Sequence, residues 1–205
     1  MAEPGGELRH LTGLWARAHH EAAHAVVATL MGGRVEEIEL WSGPPVGGRV
    51  RFTGLDAWSP GASATGVDGY DLVRRIVYLL AGPISEHIAE AGPSAILNEA
   101  ASMVATAMLV ALRDPAAIEL HPDVQAVVGL LQDHFGSENE AGAAAAVDHL
   151  AMHVENYVRD QWTAIQSVAA SLLRHGRLSG DDLSSFLSAA IPALDMIALL
   201  DAFPA

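Results

Sequence analysis

The stretch "LTGLWARAHHEAAHAVVATLMGGRVEEIEL", residues 11–40, carries a change of period that decides how this chain is read. Its first part is rich in alanine and has Leu14, Ala18, Ala25 and Ala28 at helical spacing, which predicts a mostly buried helix. Thr12 is a suitable N-cap, and Gly32-Gly33 is a stop. From Arg34 to Leu40 the pattern alternates. Ile38 and Leu40 share one side and Glu37 and Glu39 the other, as in a strand with one wet face. Inside the helix stands His20-Glu21-Ala22-Ala23-His24, a match to H-E-x-x-H.

Outward from this unit, "WSGPPVGG" (residues 41–48) reads as a turn-rich loop, and "RVRF" (residues 49–52) alternates again. The two alternating pieces suit a small antiparallel pair. Residues 53–69 are loop by composition. From Tyr70 the chain reads as helix almost to its end. Gly82-Pro83 is expected to interrupt or kink the first of these helices, because proline lacks a donor and clashes one turn back. Gly92-Pro93 breaks the chain again. "SAILNEAASMVATAMLVAL" and "DVQAVVGLLQDHF" predict two more helices, and residues 141–176 one long helix ending at Gly176. Ser179 is a good cap for the last. The fold class is mainly α with a minor β element (α+β): a flexible leader at 1–11, then a single domain over 12–205.

Composition narrows the chemistry. The formal charge of −14 opposes binding of nucleic acid over a broad face. With no cysteine, disulfides and thiolate sites are excluded, so a metal would be held by His, Asp or Glu. The longest apolar run, Met103 to Leu112, is too short to span a bilayer, and the N-terminus has no signal-type apolar core. The expectation is a cytoplasmic protein with no membrane partner.

On a helix, His20 and His24 lie one turn apart on one face, so both rings can address one ion. Glu21, beside the first ligand, is placed to take a proton from water activated there. With ten His in the chain, a chance match arises about 0.03 times, so the motif is suggestive by itself. The plain alternative is a pair of surface histidines with a carboxylate neighbour. A third ligand is needed, and Glu99 in "ILNEAAS" is the first candidate, because a carboxylate among Ala, Ile and Leu is costly unless paired or bound to metal. Asn98 beside it suits a supporting hydrogen bond. Asp181 and Asp182 are weaker candidates, being acids at a helix start. Glu86 and His87 are further candidates as ligands or ligand partners. His19 faces elsewhere, and His149 with His153 reads as a solvated helix face.

Taken together, these blocks resemble the peptidase domain of the FtsH family, ATP-dependent zinc proteases. "HEAAHAVVATLMGGRVEEIEL" is similar to that family's HEAGHA helix and following strand, and "LVRRIVYLLAGPISEHIAE" to its Leu-Leu-Gly-Gly helix. "LNEAASMVATAM" falls where the family has an Asn-Asp and a helix, the Asp being its third zinc ligand. "HVENYVRDQWTAIQSVAASLLRHGRLSGDDLSSFL" resembles its closing segment. The resemblance covers roughly residues 15–190. "NEAAS" also resembles the Asn-Glu-x-x-Ser segment of thermolysin-like enzymes. Three departures stand out: Glu99 for Asp, Ala23 for Gly, and Pro83 for Arg. No phosphate-binding loop or ATPase module accompanies the blocks.

The resemblance implies a zinc metalloendopeptidase with Zn2+ on His20, His24 and Glu99, and Glu21 as base. Without an ATPase of its own it would cut unfolded or flexible polypeptides, as a homo-oligomer or with a separate ATPase partner. If Val35 to Trp41 is an edge strand beside the zinc, a peptide can add to it, with Leu40 and Trp41 lining the substrate site. The other function class is a non-enzymatic scaffold of the same shape that binds a peptide or protein partner.

Overall fold

The computed structural model describes residues 4–43, 45–54, 69–92, 96–114, 116–136 and 139–187. Their order is α1 (Pro4–Leu30), β1 (Arg34–Trp41), β2 (Gly47–Thr53), α2 (Gly69–Ala91), α3 (Glu99–Arg113), α4 (Pro122–Phe135), α5 (Glu140–Asp160), α6 (Trp162–His175), β3 (Arg177–Ser179) and α7 (Gly180–Leu187). The chain is thus mainly helical with a small antiparallel sheet.

The middle of α1 is the centre of the fold. Ala16, Ala18, Ala22, Ala23, Ala25, Val26, Val27 and Ala28 are all fully buried. A helix buried on every side needs neighbours all round, and small side chains let them come close. Helix α2 packs along one flank, α6 along another, and strands β1 and β2 cover a third. Ile76, Leu79, Leu80 and Ile84 of α2 are buried in the same core as Val127 and Leu131 of α4 and Leu150 of α5.

The sheet has the order β2-β1-β3. Strand β1 pairs with β2 from Arg34↔Thr53 to Trp41↔Gly47, with a bulge between Val35 and Glu37. It pairs with β3 over Glu37 to Glu39. Opposite charges face each other across both seams: Glu39 with Arg49 at 2.6 Å, and Glu37 with Arg51 at 2.7 Å and with Arg177. Arginine stems therefore cover Glu37, which is buried rather than wet as alternation alone predicts.

Several boundaries differ from the sequence expectation. Helix α1 already runs from Pro4, ahead of the expected start, and Thr12 lies inside the helix. Pro83 sits within α2, which continues to Ala91. The expected long helix over 141–176 is divided at Gln161 into α5 and α6. Helix α3 starts at Glu99, after Asn98 in the left-handed region at φ 67°. The short strand β3 was outside the expectation. Residues 55–68 lie outside the described residues, as do 1–3, 93–95 and 188–205. Among the described residues no helix is long and apolar enough to cross a membrane.

Ser179 does cap the last helix. The Asp182 carboxylate accepts from the Ser179 backbone N–H at 2.9 Å and hydroxyl at 2.7 Å, while the Asp182 N–H donates back to that hydroxyl at 3.3 Å. The Ser179 hydroxyl bond, then its backbone bond, holds the Asp182 carboxyl below its ordinary value. A carboxyl depressed on folding contributes stability above its unfolded pKa, near 4, that is lost as pH falls through the folded value. Ser179→Ala is therefore expected to raise the Asp182 titration midpoint, followed by carboxyl NMR. An unchanged midpoint would show that the cap does not act on this group.

Candidate metal centre

His20 and His24 project from one face of α1, one turn apart, and both are almost fully buried. Their Nε2 atoms lie 3.0 Å from each other. The Asp123 Oδ2, from the first turn of α4, lies 2.9 Å from the His20 Nε2 and 3.3 Å from the His24 Nε2. These three side chains form a group able to hold a metal ion.

The other ring nitrogens settle which atoms carry protons. The His24 Nδ1 lies 3.0 Å from the Tyr78 carbonyl oxygen, and the His20 Nδ1 lies 2.8 Å from the Glu86 Oε2. A carbonyl and a carboxylate only accept, so each Nδ1 bears its hydrogen and donates it. Each ring then turns its Nε2 toward Asp123. Two ring nitrogens and a carboxylate oxygen meet within 2.9–3.3 Å, and with Nε2 deprotonated the rings would offer a cation two lone pairs beside that charge. Tetrahedral zinc with bonds of roughly 2.0–2.1 Å needs donors about 3.3 Å apart. The donor set and its spacing fit such an ion.

The surroundings hold these side chains in place. Glu86 opposes the far side of His20, the carboxylate–histidine pairing that orients metal ligands. Burial favours its neutral form, but the His20 hydrogen bond and charge outweigh it and hold the carboxyl below its ordinary range. Asp123 behaves likewise: bonds from His121, His20 and His24 overcome burial and keep it ionised.

His121 sits just before α4. Arg17 NH1 lies 2.8 Å from its Nε2, and because arginine only donates, that nitrogen accepts. The His121 Nδ1 then carries the proton. It lies 3.3 Å from both the Asp123 Oδ2 and the Asp123 backbone nitrogen. Only the oxygen can receive that proton, so we assign the bond to the carboxylate rather than to a helix cap.

Glu21 lies one residue past His20 and is 2 % exposed. Its Oε1 is 2.8 Å from Arg17 NH2, yet the angles are not those of a hydrogen bond, and this buried oxygen keeps its accepting capacity. Burial raises the Glu21 carboxyl above its ordinary value, against the pull of His24 and Arg17. A carboxyl so raised is suited to exchange a proton.

Two glycines make room for these groups. A Cβ on Gly48 of β2 would collide with the Glu21 side chain. One on Gly82 of α2 would lie 2.5 Å from the His24 Nε2 and 2.6 Å from the His20 Nε2. Alanine normally favours a helix interior over glycine by about 1 kcal/mol. Here Gly82→Ala is instead expected to destabilise by about 1–3 kcal/mol through overpacking. It should also lose metal. A Gly82→Ala protein that melts higher and binds metal as before would show that the close approach is not required.

Beside the centre runs an apolar groove of about 490 Å3, bounded by Pro83, Met103, Val110, Ile118, Leu120 and His121. Met103, Val110 and Ile118 are among the exposed large hydrophobic residues. A larger cleft of about 550 Å3, at Arg34, Asp181 and Ser184, shares no residue with the histidine cluster.

Of the residues expected from sequence, His20, Glu21 and His24 come together here, and Glu86 is a ligand partner. Glu99 does not join them. It stands exposed at the start of α3, and its carboxylate accepts the Ile96 N–H at 3.3 Å. The third donor is Asp123, which is 99 residues beyond His24. Asn98 supports no ligand: its N–H donates to the Glu155 Oε1 at 2.8 Å, and its Oδ1 is buried without a partner. Buried Glu155, not a metal, satisfies the α3 N-terminus, also accepting from the Ala101 N–H at 2.6 Å.

Strand β1 is central over Glu37–Glu39, and Leu40 donates its N–H to the Gly176 carbonyl at 2.8 Å. A peptide cannot add there, which corrects the edge-strand expectation. Trp41 is exposed, with its indole over Gly47, and neither it nor Leu40 is among the converging donors. His19 is buried between Trp15 and Trp162, outside the donor group. Asp123, His121, Arg17 and Gly82 were missed. The available signal was the His-Pro-Asp sequence opening α4, where an acid is also what any helix start favours.

No family model matches the chain, and no curated protein matches it.

Proposed function

We propose that this protein is a zinc-dependent peptidase acting on flexible or unfolded polypeptides, with His20, His24 and Asp123 holding the ion and Glu21 as its base. The observation that carries the reading is the convergence of two imidazole Nε2 atoms and a carboxylate oxygen within 2.9–3.3 Å, next to a buried glutamate. When bound, zinc would supply Lewis acidity toward a carbonyl and bring the pKa of water toward neutrality.

The remaining chemistry belongs to the chain. The Nδ1 bonds of His20 and His24 fix both rings with Nε2 toward the ion. Glu21 takes a proton from water at its carboxylate and returns it to the leaving amine, one carboxyl serving as base and then acid. A purely structural metal site has no use for a glutamate there. The apolar groove that reaches His121 offers a seat for a substrate side chain beside the reacting bond. That asymmetry favours a polypeptide over a small polar substrate.

The test is cleavage of an unfolded, dye-labelled protein by purified material, stripped with chelator and then reloaded with zinc. Cleavage that vanishes on stripping and returns with about one zinc per chain supports the reading. Zinc bound at that stoichiometry with no cleavage of any unfolded polypeptide would favour the partner-binding scaffold. Failure to take up zinc at all would sink the metal centre.

A further inference from the structure

We infer that Arg17 is a positioning residue that ties the base Glu21 and the ligand Asp123 into one unit; this rests on the metal-centre reading above. Helix α4, which carries Asp123, packs on α2, α3 and α5 rather than along α1. The carboxylate therefore reaches the histidines through side chains alone. Arg17 supplies the link. Its NH1 lies 2.8 Å from the His121 Nε2, and His121 passes the restraint to the Asp123 Oδ2 through its Nδ1 at 3.3 Å.

The same guanidinium places NH2 2.8 Å from the Glu21 Oε1. Arg17 thus joins α1 to a residue 104 positions on, at the start of α4. A guanidinium is flat and rigid, so the position of NH1 dictates that of NH2. Moving α4 would move both the third ligand and the base. Gly48 closes the other side of Glu21, so the carboxylate is held between arginine and strand backbone. A lysine ammonium, one charged point on a flexible stem, reaches one partner and not both.

The experiment measures zinc affinity by chelator competition, with Co2+ absorption as a report on the ligand set. Arg17→Ala is expected to weaken zinc binding about 10- to 100-fold, the range for loss of a ligand-orienting group. Arg17→Lys should recover only part of it. His121→Phe should give a similar loss, and the double variant should be no weaker than the worse single within about twofold, because the two act in series.

The His121 variant keeps the inference testable if Arg17→Ala does not fold. Unchanged affinity and Co2+ spectrum in Arg17→Ala, or losses that simply multiply in the double variant, would overturn the clamp while wild-type zinc binding stood. A wild type that takes no zinc would remove the metal centre itself and the clamp with it.

Discussion

Asp123→Ala is expected to abolish stoichiometric zinc binding, whereas Glu99→Ala should retain it. Asp123 contributes the only carboxylate among the three donors that meet at the centre, within 3.3 Å of both imidazoles. Its loss leaves two imidazoles, with their Nε2 atoms 3.0 Å apart, and no anionic donor. Loss of an outer group already costs 10- to 100-fold in affinity, so loss of this ligand should exceed about 100-fold.

Glu99 makes the opposite prediction because of where it sits. It is exposed and completes a turn with Ile96. Its removal forgoes a favourable acid at a helix N-terminus, worth about 0.3–1 kcal/mol of stability, and leaves the donors intact. Metal analysis of both purified variants decides the matter. Zinc lost from Glu99→Ala and kept in Asp123→Ala would overturn the ligand set.

The second large effect is on turnover. Glu21→Gln should lower polypeptide cleavage by about 10²–10⁴-fold, the contribution of a positioned acid–base group. Zinc content should not change, since Glu21 is not one of the converging donors. Glutamine keeps the shape that fits beneath Gly48 but cannot take up a proton. The Arg17 contact becomes a neutral one, and Arg17 retains both solvent access and its bond to His121. Cleavage that survives in Glu21→Gln with zinc bound would reduce Glu21 to a buried partner of Arg17 and leave the base to be found elsewhere.

Much of the α1–β1 unit was legible before any coordinates. A run of alanine with spaced leucines and valines makes a buried helix, paired glycines end it, and alternation makes the strand. These are local properties with short periods. The limits of α1 and the break at Gln161 were less legible. Propensity continues across both, and a helix stops where its neighbours in space require it to. The wet face assigned to Glu37 failed for a related reason: Arg51 and Arg177 come from two other strands, and their cover is not written in β1.

At the site the division is sharper. Spacing four apart on a helix was enough to bring the His20 and His24 rings to one point, with Glu21 beside them. The third donor could not be chosen this way. Glu99 and Asp123 are both acids in the first turn of a helix, and locally both are explained by the helix itself. Only packing separates them. Asn98 in the left-handed region turns α3 so that Glu155 meets its N-terminus and Glu99 faces water. His121 and Arg17 draw the start of α4 to the histidines. By itself the sequence determined the helix, its two ring nitrogens and the carboxyl between them, because those lie within one turn. The tertiary structure alone decided which distant carboxylate completes them, because that choice depends on how separate helices pack and not on local spacing.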